Sequence, residues 1–310
     1  MTGVLEFGQE PVNLKKPEPA DLVLWSVTTI IGVLEKPALL YWTAEEAAKA
    51  AVASHRSLGA RIEEEGEAAV IKWLRDARFR RPADRLSNAD LGTICHSACE
   101  AYALTGNRPD ADRLEFWVRQ TAGSKLAGAK AEVAVLEQML DRFDGWLQRF
   151  TPSYQATEVS VYSPKYGYAG TCDAFMTIDD ARFIVDYKTS REPYDSKGQP
   201  KTPYPEQVGL QLAAYRYAEL AAVWRPRRYE HFRRRYYLLG ADEQAVAQPV
   251  PEVDAGLCLH ITPEACEAWP IRCDQEAFRA FLYCEEAFRW MNQTSKGAMG
   301  APLEKPTVPA

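Results

Sequence analysis

Between Thr43 and Phe150 the apolar positions recur every three to four residues, as in AEEAAKAAVASHRSL and AEVAVLEQMLDRFDGWLQRF, and this spacing predicts a mainly helical first half. At Pro152 the period shortens. The runs QATEVSVY, YAGTCDAFMTI and RFIVDYKT are short and β-rich, so a sheet is expected to begin near Tyr154, with the Asp179-Asp180 pair as a turn between the last two strands. A polar, proline-bearing stretch from Ser190 to Pro203 follows. PEQVGLQLAAYRYAELAAV then returns to helical spacing, with Pro205 suited to a first helical turn. The remainder predicts strands around Tyr229 to Leu239 and Leu257 to Ile261, and a helix from about Asp274 to Asn292 capped by Asp274.

Residues 1–20 mix prolines with charges without periodicity, and the end from Lys296 is rich in Pro, Gly and Ala, so both ends are expected to be flexible. One elaborated domain is expected over 21–295, with 21–150 mainly helical and 151–295 an α/β core. A net charge of -6 gives no whole-molecule attraction to a polyanion, so any nucleic-acid contact must come from local basic patches. Seven cysteines without CxxC spacing indicate neither a disulfide framework nor a zinc ribbon, which fits a reducing compartment. With no basic-then-apolar leader and no membrane-length apolar run, a cytoplasmic protein without a membrane partner is expected.

The chemistry sits in IVDYKT. Strand alternation puts Asp186 and Lys188 on one face and Val185 and Tyr187 on the other. Asp173, in GTCDAF, lies on the preceding strand, and a tight reversal at Asp179-Asp180 brings the two aspartates together beside the lysine. Two converging carboxylates oppose each other's ionisation, a cost that a hard cation such as Mg2+ or Mn2+ removes. Such an ion can activate a water and stabilise charge on a phosphate, with Lys188 positioning or deprotonating the water or neutralising the transition state. A bare DxK is more often a solvated surface pair. The buried look of Ile184 and Val185 and the second aspartate after Gly170-Thr171 favour a site.

This ordered set, SVTTII, KPALLYW, GxxxH, GTxD, hydrophobic-Asp-x-Lys-Thr and QxxxY, resembles the PD-(D/E)XK nucleases, in particular the RecB-like branch and its phage-type exonucleases, over roughly Val23 to Asn292. The resemblance implies a restriction-endonuclease-like α/β core with a central mixed sheet flanked by helices and a helical N-terminal elaboration. It implies Mg2+- or Mn2+-dependent hydrolysis of DNA phosphodiesters, with Asp173, Asp186 and Lys188 as catalytic core. A phage or bacterial setting in recombination, repair or replication follows, with a single-strand annealing or recombination protein as a further partner.

The same resemblance makes His96 of LGTICHSACEAYALTG a metal ligand, where position alone gives only a packed or exposed helical histidine. Ser87 and Asp90 resemble a capping box upstream, Gly106 terminates this helix and Gly92 permits a close approach. Glu158 corresponds to an acidic residue that holds a second metal or orients a ligand; the strand pattern alone equally allows an exposed glutamate. Gln207, Gln211 and Tyr215 form a polar line at i, i+4 and i+8, and the QxxxY motif assigns Gln211 and Tyr215 to the DNA backbone or to bracing the lysine. Arg233, Arg234 and Arg235 lie among aromatic residues and read either as a phosphate-binding edge or as a solvated edge strand. Many relatives hold an iron-sulfur cluster with four cysteines. Cys258, Cys266, Cys273 and Cys284 are irregularly spaced, so no cluster is expected.

Overall fold

The computed structural model describes residues 22–34, 37–79, 85–122, 126–195, 198–203, 205–222, 227–231, 234–239 and 247–300. Among these the chain runs β1 (Leu22–Ser26), α1 (Val27–Ile31), α2 (Pro37–Ala53), α3 (Leu58–Glu65), α4 (Glu67–Arg75), α5 (Asn88–Thr105), α6 (Ala111–Ala122) and α7 (Ala129–Phe150). It continues through β2 (Ser153–Ser163), β3 (Tyr168–Ile178), β4 (Ala181–Thr189), α8 (Pro205–Arg216), β5 (Leu220–Ala222), β6 (Arg227–His231), β7 (Arg234–Leu239), β8 (Gln248–Pro249), β9 (Ala255–Ile261), β10 (Cys266–Ile271) and α9 (Gln275–Asn292). The ten described strands form one sheet along the path β10-β9-β4-β3-β1-β7-β6, with β2 on β3 and β5, and β8 on β5. It is mixed, because β1 with β3 and β4 with β9 are parallel and the other pairs antiparallel.

Helices cover both faces. On one, Ile94, Cys95 and Ala98 of α5 and Leu136, Met139 and Phe143 of α7 bury Ala174, Met176, Val185, Tyr187 and Leu259. On the other, Ile30 of α1, Val208 and Leu212 of α8, and Phe281 and Phe288 of α9 bury Cys172, Phe175, Ile184 and Cys258. The odd and even residues of β4 thus go to opposite layers, as strand alternation requires. Asp179 and Asp180, with φ of 46° and 67°, make the two-residue reversal between β3 and β4.

One topological feature positions the site. Strand β2 follows one edge of β3 from Tyr168 to Thr177. Both remaining neighbours must share the other edge, and they do so in sequence: β1 pairs at Tyr168 and Ala169, and β4 at Ala174 to Ile178. The two part between these points, so Gly170 to Asp173 line a fork in the sheet. Side chains from both helical layers can reach it.

Some expectations change. The sheet begins at Leu22 rather than near Tyr154, because five N-terminal residues supply β1. The helix expected to run on through ELAAV stops at Arg216, and Leu220–Ala222 pairs with β2; three apolar residues are too few for helical and strand periods to differ. The β structure expected around 229–239 is an antiparallel pair, β6 and β7. Arg234 and Arg235 lie on β7, while Arg233 lies outside the described residues, as do residues 1–20 and 301–310 of the expected flexible ends. Of the expected C-terminal tail, Lys296 and Gly297 belong to a 3-10 turn, Thr294–Gly297. No helix among the described residues is long and apolar enough to cross a membrane.

Candidate active site

Helix α5 starts where Ser87, in extended backbone, accepts a hydrogen bond from the Asp90 N–H, and ends at Gly106, whose φ of 68° suits a residue without a Cβ. Gly92 faces β4, and a Cβ there would stand 2.8 Å from Thr189 Oγ1. One turn further, His96 reaches the fork, with its Nδ1 3.4 Å from Asp173 Oδ1.

Asp173 stands at the point where β3 loses β4. Its Oδ2 accepts from the Tyr187 backbone N–H at 2.5 Å, so the side chain replaces a ladder bond that the diverging strands no longer make. Asp186 is 3% exposed, and its Oδ2 lies 2.5 Å from Lys188 Nζ. Gln211 of α8 completes the arrangement: its amide donates to Asp186 Oδ1 at 2.7 Å and to the Tyr215 hydroxyl at 3.1 Å, and its carbonyl accepts from Lys188 at 3.3 Å. Tyr215 packs its ring over Gly170.

The electrostatics follow from this geometry. Burial lifts the Asp186 carboxyl above its ordinary value, the Lys188 ammonium opposes that, and Asp173 adds to it. Asp173 itself is held below its ordinary value, because His96, the Tyr187 N–H and Lys188 outweigh its burial. Burial would lower the His96 imidazole, but Asp173, Cys95 and Asp186 raise it from 6.5 to about 9. Lys188 is likewise raised, its burial outweighed by Asp186 and Asp173. Two carboxylates are therefore balanced by an imidazolium and an ammonium.

The donors, one imidazole and carboxylate oxygens, suit a hard or borderline divalent cation. A divalent charge also meets the need that the raised Asp186 reveals, a buried carboxylate beside a second one. Among the described residues no three His, Cys, Asp or Glu side chains are grouped closely enough to hold an ion as they stand. Asp173 Oδ2 and Asp186 Oδ1 accept hydrogen bonds from the Tyr187 N–H and Gln211, whereas the buried Asp186 Oδ2, beside the Lys188 ammonium, accepts none from the described residues and is an oxygen a cation could take up.

The structure thus brings together His96, Asp173, Asp186, Lys188, Gln211 and Tyr215. Glu158 lies on β2 between Thr157 and Val159, which pair with Ala174 and Cys172 on either side of Asp173, and its φ is 49°. Gln207 is half-buried one turn before Gln211 and makes no hydrogen bond into this network among the described residues. The backbone N–H of Tyr187 on Asp173 and the packing of Tyr215 over Gly170 are contacts that the sequence motifs did not point to. Of the cysteines discussed above, Cys258, Cys273 and Cys284 are buried and Cys266 is half-buried.

A mixed sheet covered by helices, with acidic side chains and a lysine gathered where two strands part, is an arrangement of the nuclease type. The chain belongs to the PD-(D/E)XK nuclease superfamily, whose family model matches residues 68–298. Nucleases of this superfamily generally use divalent metal ions such as Mg2+ or Mn2+. No curated protein matches the chain. A solved structure titled "Crystal structure of SSO0001" aligns with 69% of this chain and 80% of that one at 16% identity, with a TM-score of 0.27, too low to carry an argument.

Proposed function

We propose that the protein is a divalent-metal-dependent DNA exonuclease that hydrolyses phosphodiester bonds in the processing of DNA ends during phage or bacterial recombination, repair or replication. The observation that carries this reading is the meeting of Asp173, Asp186, Lys188 and His96 in the sheet fork, with Gln211 holding Asp186 and Lys188 at once. His96, Asp173 and Asp186 would hold the ion, with Glu158 of β2 as a further carboxylate. When bound, Mg2+ or Mn2+ supplies Lewis acidity toward a phosphate oxygen and lowers the pKa of a water. Lys188 is kept as an ammonium by Asp186, which supports charge neutralisation at the phosphate over proton abstraction. Gln211 fixes the lysine and the carboxylate relative to each other, and Tyr215 fixes Gln211. A single-strand annealing or recombination protein is the partner such end-processing calls for.

The test is cleavage of end-labelled linear and closed circular DNA, single- and double-stranded, with Mg2+, Mn2+ or EDTA. Metal-dependent loss of linear DNA by the wild type, abolished by Lys188→Ala, is expected. Cutting of closed circles would make the enzyme an endonuclease on the same residues. No cleavage of any substrate by folded protein would overturn the reading.

A further inference from the structure

Three residues beyond Lys188, the chain makes a buried ion pair to the other side of the sheet. Arg191 Nη1 and Nη2 reach the two oxygens of Glu132 at 3.1 and 2.6 Å, and Nη2 also reaches the Leu86 carbonyl at 3.4 Å. The Glu132 side chain is 3% exposed and that of Arg191 13%. Glu132 lies in the first turn of α7, where the helix dipole favours an anion, and Leu86 directly precedes Ser87, the N-cap of α5. One guanidinium thus ties together the exit of β4, the start of α7 and the start of α5.

The tie is placed where α5 most needs holding. The helix meets the catalytic strands at Gly92 against Thr189 and at His96 against Asp173, successive turns on one face. The chain just before its N-cap is held by Arg191 through the Leu86 carbonyl. A planar, bidentate guanidinium fixes direction as well as distance, which a point charge does not. A buried pair of this kind adds little net stability over apolar packing, so its geometry is the better guide to its role.

We infer that Arg191 and Glu132 form a clasp that sets α5, and with it His96, against the strand carrying Asp186 and Lys188. They are positioning residues, and their importance for activity rests on the nuclease reading above. Outer groups that orient metal ligands typically change metal affinity or activity by about 10–100-fold. Arg191→Lys keeps the charge and loses the planar fork, and Glu132→Gln is the second, milder variant. Glu285→Gln is the control, since it alters another buried carboxylate, that of Glu285, whose partner Arg289 lies on the same helix, α9.

Three quantities are measured: amide exchange across α5 in chelator-treated protein, Mn2+ binding by calorimetry without DNA, and the Mn2+ midpoint of cleavage. Arg191→Lys should speed exchange from Leu91 to Cys99 and weaken Mn2+ binding by about 10-fold or more, leaving KM for DNA unchanged. Glu132→Gln should act in the same direction, and Glu285→Gln should change neither quantity. Unchanged α5 exchange in both clasp variants would overturn the inference, as would faster exchange with an unshifted Mn2+ affinity. Should the wild type neither bind Mn2+ nor cut DNA, the nuclease reading fails, and the α5 exchange alone decides the clasp.

Discussion

Gly170 and Tyr215 provide the sharpest test of how α8 is seated on the fork. Gly170 lies in ordinary strand backbone, where alanine by itself would stabilise the protein by about 0.4–1 kcal/mol through the unfolded chain. Sterics oppose this. A Cβ at Gly170 would stand 2.3 Å from Tyr215 Cε1, 3.0 Å from Cζ and 3.1 Å from the hydroxyl. The ring would have to retreat by roughly 1 Å to restore an ordinary contact. It has little room to do so, being 3% exposed, bonded to Gln211, and carried by a helix whose Ala214 carbonyl accepts from Tyr168 of β3. Overpacking of this kind costs roughly 1–3 kcal/mol and a ring with so little room belongs in the upper half of that range, so Gly170→Ala should destabilise by about 1–2.5 kcal/mol after the offset. Urea unfolding measures the loss. The cause is isolated by a double-mutant cycle with Tyr215→Leu, which lacks all three crowded atoms: the double variant should be more stable than the sum of the singles by about 1 kcal/mol or more. Wild-type stability in Gly170→Ala, or additivity within about 0.5 kcal/mol, would refute the reasoning.

Three further outcomes are expected. Ser87→Ala removes the cap of α5 and should lower stability by about 1 kcal/mol in urea unfolding, with faster amide exchange in the first turn of the helix that carries His96. Gln211→Leu leaves the buried Asp186 oxygen without its amide donor, costs roughly 1–3 kcal/mol, and raises the Asp186 carboxyl further, as carboxyl NMR titration would record. In chelator-treated protein His96, raised by Asp173 to about 9, should titrate above its unfolded value of 6.5. A raised cation contributes its full stability below the unfolded value and loses it through the folded one, so stability should fall between about pH 6.5 and 9. His96→Asn should flatten that fall, and a wild type whose stability does not change over this range would contradict the pairing with Asp173.

The pieces legible in the sequence were those with local signatures. The Asp179-Asp180 reversal, the Ser87 and Asp274 caps, the Gly106 terminus and the alternation in IVDYKT all depend on residues a few positions apart, and the structure shows each of them. From the reversal alone the neighbouring placement of Asp173 and Asp186 follows. The fork did not, because it depends on β1, about 145 residues before β3, taking the same edge as β4. Without the fork there was no reason to expect the Tyr187 N–H to bind Asp173, or helices from opposite layers to meet at one point. Arg191 and Glu132 carried no signal either, since residues 59 positions apart with ordinary charges look like two solvated side chains until α7 is laid across the sheet.

The charge balance in the fork bears on how the lysine variant must be interpreted. Lys188→Ala removes the cation 2.5 Å from a carboxylate that is 3% exposed and already raised by burial. An uncompensated buried charge is too costly to keep, so the Asp186 carboxyl should respond by holding its proton to higher pH. Loss of cleavage in Lys188→Ala at neutral pH then has two separable origins: the missing ammonium, and an aspartate that has become neutral. They differ in pH dependence, because a raised carboxyl ionises as pH increases and the missing lysine does not return. Cleavage by Lys188→Ala is therefore to be followed from pH 6 to 10 beside wild type and Lys188→Arg, which keeps a cation near Asp186. Recovery of the alanine variant at high pH, with Lys188→Arg active at neutral pH, would mean that the lysine serves chiefly to keep Asp186 ionised. An alanine variant that stays inactive throughout would mean that the ammonium acts on the phosphate itself.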